Sequence, residues 1–265
     1  VMGVRRKTKS ATVMGMLQVR DKEADGFVSA GSTGAVLAGG MFRLGRIPGI
    51  ERPALAPLLP NGKSHFLLID CGANVDCQPK YLTQFGLMGK VYMENVLGMH
   101  DPAVGLVNIG AEDTKGNALS KETYQLMKAQ SVYRFAGNVE ARDIPLGEVQ
   151  VVVCDGFDGN LILKYTEGLS SAMVGMLKEE MLSSLRTKLG AALVMPALKR
   201  FKGRLSAENV GGAPLLGVNG AIIKAHGNSN ATAFKNAIRQ ARDMLKGRVT
   251  EEIQSGLQRL LPEEG

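Results

Sequence analysis

Five times along this 265-residue chain a short apolar run gives way to a loop rich in Gly, Asn and Asp, and then to an amphipathic stretch. Gly26 to Ala30 reads as a strand, Gly31-Ser32-Thr33-Gly34 as a turn and Ala35 to Leu44 as a helix. Phe66 to Ile69 ends at Asp70-Cys71-Gly72-Ala73-Asn74, and Pro79 then opens a helix through about Asn95, since proline suits a first helical turn. Val104 to Asn108 leads into Gly110 to Asn117 and a helix from Ser120, where Ser-Lys-Glu-Thr offers a cap. Val149 to Val153 leads into Asp155-Gly156-Phe157-Asp158-Gly159-Asn160. The last unit runs from Gly211 through the strand Ala221 to Ile223 and the loop Lys224 to Ser229, with a helical pattern from Asn230. Strands alternating with helices predict a largely parallel sheet covered by helices. In such sheets ligands sit beyond the carboxyl ends of the strands, so the five polar loops are expected at one edge.

A single α/β domain over residues 1–265 fits the length and the 45% hydrophobic content, with no low-complexity linker to divide it. One segment departs from the alternation. Leu169 to Asn209 reads as helical throughout with a break at Pro196, and Leu189, Leu193, Leu198 and Phe201 lie close to one face with Lys188, Lys199, Arg200, Lys202 and Arg204 nearby. This hairpin either packs on the core or a partner copy, or touches a membrane surface as a basic amphipathic element. The longest apolar run is too short to span a bilayer, and VMGVRRKTKS lacks the apolar core of a signal peptide, so a cytoplasmic protein is expected. Cys71, Cys77 and Cys154 form an odd, unframed set, which predicts reduced, buried thiols and no zinc site.

The net charge of +7 suits an acidic partner or a phosphate ligand. Nucleic acid is disfavoured, because aromatics are 5% of the chain and no recognition signature is present. Glycine turns ahead of helix N-termini make physically sensible anion cradles. Gly31 to Gly34 and Gly227-Asn228-Ser229 are of this kind, with Lys224 and His226 supplying a cation and a proton-transfer group. The stretch 31–34 matches neither the serine-nucleophile elbow nor a dinucleotide or Walker turn. Asp70, Asn74 and Asp76 could attract Mg²⁺ or serve as turn and capping residues, and the second role is preferred, with no metal expected. Lys115 lies in a loop; Glu140, Arg142 and Asp143 read as a surface ion pair; Asp155 and Asn160 bracket a glycine loop with Lys164 on the helix that follows. His65 and His100 lack the company that His226 has.

The stretches DGFVSAGSTGAVLAGG, RPALAP, DCGANVDCQPKYL, VGLVNIGAEDTKGN, GNVEARDI, VVVCDGFDGNLILK, GGAPLLG and IKAHG occur in order over residues 21–245. With them the chain resembles the bacterial acyl-acyl-carrier-protein:phosphate acyltransferase (PlsX) family. The resemblance implies a Rossmann-like α/β/α sandwich, similar to the isocitrate and isopropylmalate dehydrogenases and the phosphotransacetylases, with a helical hairpin at about 169–209. It implies transfer of a long-chain acyl group from acyl-acyl-carrier protein to inorganic phosphate, without a cofactor. It further implies a homodimer peripherally associated with an anionic membrane surface, whose acyl phosphate feeds the membrane glycerol-3-phosphate acyltransferase of phospholipid synthesis.

On that reading Gly31, Ser32, Thr33, Gly34, Lys164, Gly227, Asn228 and Ser229 bind phosphate or substrate. Lys224 or Lys115 offsets the phosphate charge, and His226 positions phosphate or donates to the oxyanion. Asp70, Asn74, Asp155 and Asn160 orient the cations and loops. The chain departs from the family at Ser32, where AGNTGA is usual, and at Asn228 and Asn230, where AHGSSD-like sequence is usual. The family's opening strand and DAMGGDHAP-like loop are not in the sequence, which implies that its N-terminal part is lacking. Two other functions fit the residues: a phosphotransacetylase-like enzyme using acyl-coenzyme A, and a non-catalytic membrane-surface scaffold.

Overall fold

The computed structural model describes residues 9–205 and 210–260; the charged N-terminal run up to residue 8 and the predicted end of the hairpin at 206–209 lie outside them. In chain order the elements are α1 (Ala11–Arg20), β1 (Gly26–Ser29), α2 (Thr33–Gly39, continued by a π-helical turn Gly40–Leu44), β2 (Ala54–Leu55), β3 (Leu58–Pro60) and β4 (His65–Ile69). Next come α3 (Pro79–Leu97), β5 (Ala103–Asn108), α4 (Ala118–Lys128), β6 (Arg134–Glu140), β7 (Val151–Val153), α5 (Gly156–Met181) and α6 (Leu185–Leu205). The series closes with β8 (Gly212–Leu216), β9 (Ala221–Ala225), α7 (Ala231–Lys246) and α8 (Val249–Leu260).

The single, largely parallel sheet expected from the alternation is two sheets. A five-stranded sheet runs β3-β4-β7-β5-β6, parallel except for its edge strand β3. A four-stranded sheet runs β1-β9-β8-β2, in which only β1 and β9 are parallel. The reason is local: β8 reaches β9 through a tight turn with positive φ at Gly217 and Gly220, which reverses the chain where a helical crossover would have kept it parallel. The segment Pro53–Pro57 joins the two sheets. Ala56 N–H donates to the Pro214 carbonyl at 3.0 Å on one side, while Cys71 N–H donates to the Leu55 carbonyl at 2.9 Å on the other.

Period-two alternation sends side chains to the two faces. Leu67, Ile69, Val151, Val153, Leu216 and Ile223 enter one core shared by both sheets and roofed by α3, α7 and α8. On the opposite face Phe66, Leu68 and Val152 pack with Ile162 and Leu163 of α5, and Leu215 and Ile222 pack with Met16 of α1 and Val36 of α2. Helices thus cover both faces, the α/β/α sandwich expected.

The hairpin is present, but its break is at Leu182 to Ser184, and Pro196 lies inside α6. Ser184 and Thr187 make the new helix start: Thr187 Oγ1 accepts from Ser184 N–H at 3.0 Å and Ser184 Oγ from Thr187 N–H at 3.2 Å. The helix tolerates Pro196 because the surface there is exposed and water can satisfy the freed carbonyl. Leu185, Leu189 and Leu193 of α6 are exposed. No described helix is long and apolar enough to cross a membrane.

Candidate active site

The loops predicted to gather do so in two clusters, one per sheet. In the four-stranded sheet Ser29 of β1 is in register with Lys224 of β9, so the turn 31–34 and the loop 226–229 leave parallel neighbours at the same edge. Ser29, almost fully buried, accepts the Gly31 N–H on Oγ at 3.1 Å and shapes that turn. Ser32 then caps α2 by accepting from Ala35 N–H, and Asn230 caps α7 by accepting from Ala233 N–H at 2.9 Å. Thr33 is partly buried, Gly34 exposed, and both stand at the start of α2. Across the edge, His226 Nδ1 pairs with Asn228 Oδ1, and Ser229 N–H donates to the His226 carbonyl at 3.1 Å.

In the five-stranded sheet the loops after β4 and β7 interlock. Gly156 N–H donates to the Asn74 carbonyl at 2.7 Å. A Cβ on Gly159 would lie 1.9 Å from the Asp70 carbonyl oxygen, and one on Gly156 would lie 2.6 Å from the Asn74 carbonyl oxygen, so both positions demand glycine. Asp155 caps α5 by accepting from Asp158 N–H at 2.8 Å. Asn160 is exposed on the first turn of α5, beside Gly72.

Asp70 is fully buried beneath these loops. Its Oδ1 accepts from Leu55 N–H at 2.9 Å, and its Oδ2 accepts from Ala73 N–H at 3.0 Å, Asn74 N–H at 2.6 Å and Asn74 Nδ2 at 3.0 Å. Burial pushes its pKa up to about 6, and the converging donors hold it from rising further. Asn74 Nδ2 also donates to the Pro53 carbonyl at 2.8 Å. Asp70 and Asn74 therefore tie the cleft loop to the segment between the sheets, and Asp70 acts on the site only through that loop. The Mg²⁺ alternative finds no support here: Asp70 is saturated by protein donors, and the described residues contain no cluster of three potential metal-binding side chains.

Each sheet brings one lysine whose charge acts on the other. Lys224 is half-buried, and its pKa is lowered first by that burial and second by the ammonium of Lys164 on α5. Lys164 also lies close enough to Cys71 to act on its thiol, and it pairs with Glu167 at 2.7 Å. Two like charges that act on each other make a locally positive region, which suits an anion. Lys115, by contrast, is an exposed side chain in the loop after β5, the strand beyond β7, and its carbonyl accepts from Asn108 Nδ2 at 3.1 Å. The cap of α4 is Asn117, one turn earlier than the predicted Ser120.

Thiol chemistry is remote from this cleft's design: burial raises the pKa values of Cys71 and Cys154 well above the ordinary range and pushes that of Cys77 up to about 12. Sequence reasoning missed Ser29 and Glu167. Ser29 shapes a turn outside its own strand, which no periodicity marks, whereas Glu167 stands three residues from Lys164 on the same helix, a spacing that could have found it.

This fold defines a class. It matches the crystal structure of a phosphotransacetylase from Streptococcus pyogenes with a TM-score of 0.61 at 17% identity, over 88% of this chain and 67% of that one. It also matches a EutD phosphotransacetylase from Staphylococcus aureus with a TM-score of 0.54 at 13% identity, over 95% and 73%. Residues 1–252 match the family model described as a fatty acid synthesis protein, and the chain belongs to that family. Phosphate acyltransferases from Clostridium botulinum (strain Loch Maree) and Alkaliphilus oremlandii are each 52% identical to it, over 98% of this chain and 78% and 77% of their own. The chain is accordingly an acyltransferase enzyme, acting in acyl transfer to phosphate.

Proposed function

We propose that the chain transfers a long-chain fatty acyl group from acyl-acyl-carrier protein to inorganic phosphate, giving acyl phosphate for phospholipid synthesis. The observation that carries this reading is the gathering of glycine loops at two sheet edges, each leading into a capped helix N-terminus, with Lys224 at the end of one edge and its charge felt by Lys164 of α5. Phosphate is itself the nucleophile, so the protein need only hold it and aim it at the thioester carbonyl. A phosphate oxygen forms the new bond to the carbonyl carbon. The carbonyl electrons move onto oxygen, and the oxyanion so formed needs hydrogen-bond donors, while the Gly31–Gly34 turn and the 224–229 loop hold the phosphate. Collapse of that oxyanion breaks the C–S bond and expels the carrier thiolate, a leaving group that needs little acid assistance.

His226 has a definite part to play. A neutral ring that donates from Nδ1 to Asn228 leaves Nε2 as an acceptor, suited to the O–H of protonated phosphate. His226→Ala is expected to lower kcat by roughly 10- to 100-fold in a phosphate-dependent thiol-release assay. Full turnover in that variant would remove His226 from the mechanism.

The excess of Lys and Arg over acidic residues suits docking of an acidic carrier. Stopped-flow rates of acyl-carrier binding should fall steeply as salt is raised, whereas acyl-coenzyme A turnover should depend on salt less. A preference for coenzyme A over carrier would favour the phosphotransacetylase-like alternative, a donor choice compatible with the shared fold. A homodimer at the cytoplasmic membrane surface completes the reading, supported by the exposed Leu185, Leu189 and Leu193 of α6 with Lys188 and Arg200 nearby.

A further inference from the structure

The helix that leaves the 224–229 loop carries an uneven charge. α7 turns Ala233, Ala237, Gln240, Ala241 and Met244 into the core, and on its opposite side Lys235, Arg239, Arg242 and Lys246 are all exposed. Their spacing of four, three and four residues puts them in one row, about 16 Å long at 1.5 Å of rise per residue. The helix has one acidic residue, Asp243, which pairs with the adjacent Arg242 at 2.7 Å. Among the described residues Lys235, Arg239 and Lys246 make no ion pair. Like-charged neighbours three and four residues apart weigh against a helix, and one acid offsets them only in part. A face that need only be wet is ordinarily of mixed sign, as on α4 with Lys121, Glu122 and Lys128. The row also has a place. Lys235 stands about one turn from the start of α7, whose cap Asn230 directly follows the loop Lys224 to Ser229, so the near end of the row borders the cleft. α6 is likewise basic and free of acidic residues, but it starts at the hairpin break and not at a loop of the cleft.

We infer that the outer face of α7, with Lys235, Arg239, Arg242 and Lys246, is the docking surface for the acyl-carrier protein. The inference rests on the reading of acyl-acyl-carrier protein as the donor, and adds where that donor binds. Charge and place together fix the occupant. The carrier is an acidic protein, and a row of cations, three of them without a carboxylate partner in the chain, is its complement. The carrier holds its acyl group at the end of a long arm, which must enter the cleft while the body of the protein stays outside. A body lying along α7 lets that arm pass over the first turn of the helix to the 224–229 loop. The row steers the encounter and holds the carrier, whereas the chemistry is left to the cleft. It therefore governs affinity and KM, not kcat.

The test compares wild type with Arg239→Glu/Lys246→Glu, and with Arg239→Gln/Lys246→Gln as the milder change should the reversal disturb the helix. Lys63→Glu/Lys128→Glu makes the same change of net charge on exposed lysines elsewhere. Calorimetric affinity for palmitoyl-acyl-carrier protein and phosphate-dependent thiol release are both read, with a thermal melt and flotation on phosphatidylglycerol vesicles alongside. The α7 reversal should lose about tenfold or more in affinity and in kcat/KM for the carrier, while Lys63→Glu/Lys128→Glu stays within about twofold of wild type. The glutamine form should lose less, in the same direction. In both α7 variants kcat at saturating carrier should hold and affinity should depend less on salt. An affinity unchanged in folded α7 variants, or lowered as much by Lys63→Glu/Lys128→Glu, overturns the docking face. If vesicle binding falls while carrier affinity holds, the row serves an anionic bilayer, and the inference is equally overturned. A wild type that binds the carrier yet releases no thiol with phosphate would sink the proposed acyl transfer. The affinities of the variants would still decide the docking face.

Discussion

Lys224→Met should lower kcat/KM for phosphate by about 10²- to 10³-fold, the range for losing one charged or donor group aimed at developing negative charge. The side chain is half-buried at the end of β9, its ammonium donates to the adjacent Ala225 carbonyl, and methionine keeps most of its stem. Folding should therefore be nearly untouched, and circular dichroism with a thermal melt would confirm it. What is lost is the cation opposite Lys164. The pH profile adds a second reading. Because burial and Lys164 lower the Lys224 pKa, its charge disappears at lower pH than an ordinary lysine's. The KM for phosphate should therefore begin to rise at a pH below that at which a free lysine titrates. Lys224→Arg, whose guanidinium stays charged, should move that limb to higher pH. A Lys224→Met enzyme with wild-type KM and kcat for phosphate would dismiss the cation pair as the anion site.

The parts of this site that were legible in the sequence are those encoded within a few residues. Each strand-to-loop transition is marked by a glycine or Asn/Asp cluster, because a chain leaving a sheet needs turn conformations that those residues adopt easily. The starts of α2, α5 and α7 follow from Ser32, Asp155 and Asn230, whose side chains accept from N–H groups three residues on. Asn117 does the same for α4, yet the nearby Ser120 with its Ser-Lys-Glu-Thr signature drew the predicted start one turn too late.

What stayed hidden depends on pairing between distant segments. Two-residue β2, embedded among prolines, is a strand only because Leu215 and Leu216 lie opposite it. The split into two sheets follows from that pairing and from the reversal at Gly217 and Gly220. Lys164 and Lys224 are sixty positions apart in sequence, and no periodicity joins them. Pro196 misled in the opposite way: proline is a strong local breaker, yet an exposed helix absorbed it, and the weaker Ser184 and Thr187 signal marked the true break.

Asp70 exemplifies a residue whose type was legible and whose weight was not, and its replacement should have the largest effect on stability. Leu55 N–H, Ala73 N–H, Asn74 N–H and Asn74 Nδ2 all donate to this buried carboxylate, so both oxygens face donors. In Asp70→Asn the new amide NH₂ must face a donor whichever way it is turned. The expected loss at pH 7 is about 2–4 kcal/mol, and Asp70→Ala, which orphans every donor, should lose about 3–5 kcal/mol. Chemical denaturation would measure both, and a variant within 0.5 kcal/mol of wild type, the usual range for surface changes, would refute the structural role.

The pH dependence carries its own sign. The native pKa of Asp70 is about 6 against an ordinary 3.8, so between those values the native chain holds a proton that the unfolded chain has released. Stability from this group therefore falls as pH rises through that window, by about 3 kcal/mol in all, and is level above it. Asp70→Asn has no such group, so its penalty relative to wild type should be greatest near pH 4 and smaller at pH 7. The same variant should also lose activity beyond what unfolding explains, because Gly156 and Gly159 pack directly on the loop that Asp70 holds. Since Lys164 stands on the helix those glycines begin, the phosphate end of the cleft should loosen as well.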